Sequence, residues 1–114
     1  MTSPPCISVA SGFWQRLKGL MWSRPLPLAQ GLWIPRCASV HTLWMRYPLD
    51  VVYLDACGAV VKLVPGLKPW RMSWGGSAAT QTLEMAAGGI AHCGIALGDR
   101  LRLPSKPEQQ HANR

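Results

Sequence analysis

Acidic side chains are scarce in this chain. Five Asp and Glu face twelve Lys and Arg in 114 residues, a formal net charge of +7. That balance favours acidic partners. The basic residues never form a run, though, and no helix-turn-helix, zinc-finger or RNP-type pattern accompanies them. A solvated basic surface is therefore the reading, with no specific nucleic acid as partner. Long apolar runs are missing too. The stretch Met85–Gly98 is free of Asp, Glu, Lys and Arg, but it is too short and too rich in Gly to span a bilayer, so no membrane span is expected. The cysteines stand at 6, 37, 57 and 93 with no Cys-x-x-Cys pair, which argues against a zinc knuckle and against a disulfide framework. The start, Met-Thr-Ser-Pro-Pro-Cys, lacks the basic and apolar segments of an export signal. A reducing, cytoplasmic setting is the expectation. No internal repeat is visible.

What is present is a globular composition, 48% hydrophobic and 15% charged. It reads as one domain over residues 6–104, followed by a polar, disordered tail at 105–114. Ten Pro and eleven Gly imply short elements and frequent turns. Six Trp among nine aromatic residues are more than a small core absorbs, so several should sit half-exposed around a groove, apolar on one side and hydrogen-bonding on the other.

Ile7–Ala10 reads as a short strand, followed by a loose helix over Gly12–Met21 with Ser11 as its cap. Gly31–Ile34 is a strand ended by Pro35. Val40–Tyr47 alternates as an extended segment. Asp50–Asp55 and Ala59–Val64, joined by Ala56-Cys57-Gly58, form the clearest hairpin. Residues 65–77 read as a Pro/Gly/Trp loop, Thr80–Met85 as a strand, Ala86–Gly94 as a single helical turn, and Arg100–Leu103 as a last strand after a Gly98-Asp99 turn. The fold class is α+β: a small, mostly antiparallel β-barrel or curled sheet with one N-terminal helix packed against it.

The chemistry is concentrated in Cys37–Asp50. Cys37, His41 and Met45 form a soft-ligand set suited to copper(I). In a strand, however, neighbours four residues apart lie about 13 Å from each other, so a shared ion needs a bend near Ala38-Ser39. A thiol-dependent hydrolase or transferase would pair Cys37 with His41 and orient the imidazole with Asp50 or Asp55, but no elbow or helix N-terminus is evident to acidify the thiol. Asp50 has two readings: a turn cap accepting backbone N–H bonds, or a partner of Arg46 in a polar pocket. Glu84, between Leu83 and Met85, is expected either to face solvent or to pair with a buried Arg, with Arg16 or Arg46 the obvious partner. The least demanding hypothesis is a binding groove built on His41–Asp50 and the Lys68–Trp74 loop. Arg16, His41, Trp44, Arg46, Asp50, Trp70 and Arg71 mix flat apolar surface with fixed cationic forks, a combination suited to an anionic or planar small molecule or an acidic protein segment.

The ordered set Arg16…Gly19-Leu20-Met21, Gly31-Leu32, Trp44-Met45, Leu49-Asp50, Leu54-Asp55 with Gly58, Leu83-Glu84, Gly88 and Gly98-Asp99 resembles the family of domain of unknown function 192 (uncharacterised protein family 0127) over nearly the whole chain. The resemblance implies a compact β-rich domain and no established enzyme activity. Members often carry Lys-Asn-Thr after the Trp-Met pair, where this chain has Arg46-Tyr47-Pro48. Some share Cys-x-x-Val-His-Thr and others lack its Cys and His, so Cys37 and His41 are not indispensable to a family-wide role. The expectation is a non-enzymatic binding module needing no cofactor, a monomer or weak homo-oligomer, with metal binding or thiol chemistry at Cys37 and His41 as the alternatives.

Overall fold

The computed structural model describes residues 8–10, 28–43 and 45–102. Seven strands and one short helix follow in chain order: β1 (Ser8–Ala10), β2 (Gln30–Pro35), β3 (Ser39–His41), β4 (Leu49–Leu54), β5 (Val60–Leu67), β6 (Met72–Trp74), β7 (Gln81–Ala86) and α1 (Gly89–Cys93). Five strands form one sheet in the order β1-β2-β7-β4-β5, and β3 pairs with β6 in a second, two-stranded sheet. All the pairings are antiparallel except β1 with β2.

The larger sheet is open. Its outer strands β1 and β5 do not pair with each other, so the expected barrel is not closed. β5 itself is irregular: its register on β4 slips by one residue at Pro65-Gly66 and again at Val61. Pro65 cannot donate to a ladder, and an edge strand is where a sheet tolerates it. The one helix among the described residues is C-terminal, and the helix expected over Gly12–Met21 lies outside them.

Cross-strand neighbours share a face, so register assigns the core. On one face Trp33, Leu83 and Val52 stand in a row, with Met85 and Leu54 to either side. This face packs under α1 and the following loop through Ile90, Cys93, Ile95 and Leu101. The other face carries Leu32, Glu84 and Val51 in one row and Ile34, Thr82 and Tyr53 in the next. The small sheet covers it, with Val40 and Ala79 packed on Val51 and Tyr53, and Met45 and Tyr47 on Leu32 and Leu49. All six residues of β4 are buried because both of its faces are covered. The closeness of the two sheets depends on Gly75. A Cβ there would press on the Tyr53 ring and come within 2.7 Å of Ala79 Cβ.

Three local expectations change. The segment expected to extend over Val40–Tyr47 is a strand only to His41, because Thr42 O accepts from Met45 N (3.1 Å) and turns the chain. The expected loop at 65–77 contains the end of β5 and all of β6. The expected last strand shrinks to one bridge, Arg100 with Ala59. The Asp55–Gly58 turn of the hairpin forms as expected: Asp55 Oδ1 accepts from Cys57 N (2.9 Å) and Ala59 N (3.0 Å). The tail at 105–114 lies outside the described residues.

Candidate functional site

Thr42 organises the site. It is fully buried. Its hydroxyl donates to Lys68 O (2.6 Å) and accepts from Arg71 N (2.9 Å). Its backbone N donates to Arg71 O (2.8 Å), and its carbonyl accepts from Trp70 N (2.9 Å). One side chain thus ties the Lys68–Arg71 loop to the end of β3. Trp70 is held at φ 63, a left-handed conformation that costs a non-glycine residue about 1–2 kcal/mol. Strain of this size persists where surrounding bonds over-determine the backbone, often at sites of use.

Val40 points into the core, so its neighbours Ser39 and His41 point outward. Across the small sheet His41 faces Met72, and Ser39 faces Trp74. Met72 is 78% exposed, Trp74 62% and Trp70 52%. Lys62 Nζ donates to Trp74 O (2.7 Å), which places a cation beside that indole's backbone. Arg46, Lys68 and Arg71 are exposed on the adjoining segments. His41, Arg46, Trp70 and Arg71, singled out in the sequence, are all exposed. Arg16 and Trp44 lie outside the described residues. Lys68, Met72 and Trp74 belong to the Lys68–Trp74 loop expected to help build the groove, whereas Thr42 and Lys62 were not singled out by sequence. The available signal was the Met72-Ser73-Trp74 alternation.

Asp50 belongs elsewhere. Its carboxylate is buried on the opposite face of the large sheet, where Oδ1 accepts from Gly66 N (2.8 Å) and Oδ2 from Gly88 N (3.1 Å) and Ile90 N (2.9 Å). It therefore bridges the β5 bulge to the start of α1, where Gly88 adopts φ 95. The turn-cap reading prevails, and no oxygen is left to orient an imidazole or to pair with Arg46, which is exposed.

The soft-ligand set does not converge. Met45 packs with Leu32 and Leu49, His41 is exposed, and the Cys37 thiol donates to Ser39 O (2.9 Å). Among the described residues no three His, Cys, Asp or Glu side chains gather as a metal site. Cys37 instead sits beside a buried polar row. Thr82 Oγ1 donates to Cys37 O (2.7 Å), and the thiol lies close enough to Tyr53 to affect its ionisation. Burial pushes the Tyr53 phenol above its ordinary value, and Cys37 and Glu84 add to the effect; the Ser73 side chain and Val40 backbone pull it partly back. They do so without hydrogen-bond geometry, so the hydroxyl has no hydrogen-bond partner among the described residues. Glu84 is fully buried and engaged. Of its expected partners, Arg46 is exposed and Arg16 lies outside the described residues.

A raised folded-state pKa makes stability complete below pH 10, the unfolded value, and lost progressively above it. Tyr53→Phe is therefore expected to leave stability at pH 7 unchanged or raise it by up to about 1 kcal/mol. It should also remove part of the decline above about pH 10, where an unperturbed phenol begins to ionise. Urea unfolding of both proteins at pH 7 and pH 10.5 checks this; a loss above about 2 kcal/mol at pH 7 would mean that the hydroxyl is satisfied.

Among the described residues the fully exposed Lys and Arg have no fully exposed Asp or Glu beside them, and Asp55 and Asp99 are half-buried. Arg36, Arg46, Lys62, Lys68, Arg71, Arg100 and Arg102 are all exposed. Asp50, Asp55 and Asp99 give their oxygens to backbone N–H groups, Asp99 Oδ2 accepting from Ala96 N (2.9 Å), and Glu84 is buried. The cysteines also depart from expectation. Cys37 and Cys57 are free, whereas Cys93 is disulfide-bonded to a partner outside the described residues. Reducing compartments rarely keep such a bond, so the reading of four reduced thiols does not hold. No described helix is long and apolar enough to cross a membrane.

The fold is thus a small open α+β domain of two packed sheets, with Met72 and Trp74 exposed on the smaller one. The chain belongs to the DUF192 family, described as "Uncharacterized ACR", whose model matches residues 3–103. A UPF0127 protein of Pyrococcus furiosus is 35% identical over 102 residues, covering 83% of this chain and 84% of its own. Another from Thermococcus sibiricus is 28% identical over 99 residues, covering 83% and 64%. A crystal structure of a protein of unknown function from Novosphingobium aromaticivorans superposes with a TM-score of 0.65 at 22% identity, covering 82% of this chain and 71% of that one. These curated relatives are archaeal, and that structural neighbour supports the fold alone.

Proposed function

We propose that this protein is a non-catalytic binding module for anionic partners, and that its site is the outer face of the β3–β6 sheet with the Lys68–Arg71 loop. His41, Arg46, Trp70 and Arg71 form its centre, and Lys62, Lys68, Met72 and Trp74 extend it. The observation that carries this reading is the segregation of charge: every exposed Lys or Arg is unopposed by an exposed carboxylate among the described residues. Asp50 drops out of the ligand set because its oxygens already serve three backbone donors. Soft-metal binding and thiol catalysis lose support because Cys37 and His41 face different surroundings.

The test uses fluorescein-labelled polyglutamate and a fluorescein-labelled oligothymidylate as anionic probes. At least one is expected to bind the full chain, with affinity falling as salt rises. Arg46→Ala/Arg71→Ala is expected to weaken that binding about tenfold or more, at roughly 1.4 kcal/mol per decade, while Cys37→Ala leaves it intact. Loss in Cys37→Ala with retention in the arginine variant would reverse the assignment in favour of thiol chemistry.

A further inference from the structure

Resting on that reading, we infer that the partner is a single-stranded nucleic acid, with bases stacking on Trp74 and His41 and phosphates lying on the flanking cations. Thr42 fastens Lys68 and Arg71 beside His41, and the Lys62 ammonium sits 2.7 Å from Trp74 O. Met72 and Trp74 are two residues apart on one face of β6, hence about 6.6 Å apart along the strand. Their cross-strand neighbours His41 and Ser39 stand about 5 Å away.

Small-molecule sites are concave and bury most of their ligand, whereas these side chains stand out at 62% and 78% exposure. An acidic peptide would satisfy the cations but make no use of the exposed Trp74 indole. Splayed bases use both features: each presents a π-face to an aromatic side chain while its phosphate meets a Lys or Arg. A duplex fits less well. The described helix has five residues, and reading a major groove takes an α-helix or a two-stranded ribbon long enough to enter it.

The experiment is fluorescence anisotropy of the full chain with a labelled oligothymidylate of about ten nucleotides, within the usual single-strand site size. Labelled polyglutamate of matched charge is titrated in parallel. The expected result is tighter binding of the oligothymidylate, with a log–log salt slope of about −2 to −3, as three or four phosphate contacts would give. Trp74→Ala should weaken it about tenfold or more. Arg102→Ala, which removes a cation next to the buried Leu101 rather than on this face, should weaken it less than about threefold, the share of a single screened surface charge. Met72→Ala, with near-UV circular dichroism as a folding check, serves if Trp74→Ala misfolds. Equal losses in Trp74→Ala and Arg102→Ala would mean adsorption by charge alone and overturn the inference. Polyglutamate binding that depends on Trp74, without oligothymidylate binding, would overturn it while leaving the anion-binding function standing. If neither probe binds, both fall.

Discussion

Asp50→Ala is expected to destabilise the protein by about 3–5 kcal/mol, because it removes the buried acceptor of three backbone donors at once, one of them itself buried. Gly66 N, Gly88 N and Ile90 N all point at this one carboxylate, which is 1% exposed. A hydrogen bond to a charged group contributes about 1.5–3 kcal/mol, and a buried unsatisfied donor costs about 1–3 kcal/mol. The terms do not sum in full, since a truncated side chain lets water or a backbone shift recover part of the loss. Even so, the expected loss is a large share of the 5–15 kcal/mol typical of a whole domain. Asp50→Asn should recover part of it, because one amide oxygen remains to accept while its NH2 group confronts donors. Urea unfolding measures both variants. Asp55→Ala, at a partly exposed turn with two backbone donors, should cost about 1 kcal/mol. If Asp50→Ala loses no more than Asp55→Ala, Asp50 does not hold the β5 bulge to α1.

Thr42→Val is the second large effect, and it links stability to the site. The substitution keeps the volume and removes the hydroxyl, leaving Lys68 O without its donor and Arg71 N without its acceptor. The expected loss is about 1.5–3 kcal/mol. The backbone bonds between Thr42, Trp70 and Arg71 remain, so the damage should concentrate in the Lys68–Trp74 segment. Hydrogen exchange there should accelerate while the amides of β4 and β7 stay protected. Anion binding should fall several-fold although Thr42 is fully buried and touches no ligand. Thr42→Ser, which keeps the hydroxyl, should restore both properties. Normal loop exchange in Thr42→Val would show that the backbone ladder alone positions Trp70 and Arg71.

The stronger local patterns were legible in the chain. The Asp50–Asp55 and Ala59–Val64 runs became β4 and β5, Gly31–Ile34 became most of β2, Thr80–Met85 became β7, and the helical turn between glycines became α1. β-Branched alternation and glycine punctuation are short-range signals, and short-range signals survive in sequence. Where the reading failed, the deciding partner was distant. Residues 65–77 look like a loop because Pro65, Gly66 and Pro69 interrupt any pattern, yet pairing with β4 and β3 makes strands of their ends. Val40–Tyr47 alternates convincingly, but the turn at Thr42 O stops it. A barrel was expected because many short strands usually close, and sequence spacing cannot show that β1 and β5 stay apart.

The candidate site divides along the same line. His41, Arg46, Trp70 and Arg71 could be chosen by chemistry alone, since cations and indoles on polar segments favour the surface. Asp50 could be chosen but not assigned, because a carboxylate before a strand caps or binds depending on which N–H groups reach it. Thr42 could not be chosen, since its importance rests on Lys68 O and Arg71 N, more than twenty residues away.

By itself the sequence determined the family, the β-rich α+β class, the hairpin and the excess of positive charge. These follow from residue type, order and local periodicity. Only the tertiary structure decided that the Asp50 carboxylate turns inward onto distant backbone donors, and that Met72 and Trp74 stand across from His41 and Ser39. Which hydrogen-bond donors meet a carboxylate, and which faces meet across a sheet, are properties of chain segments brought together from far apart.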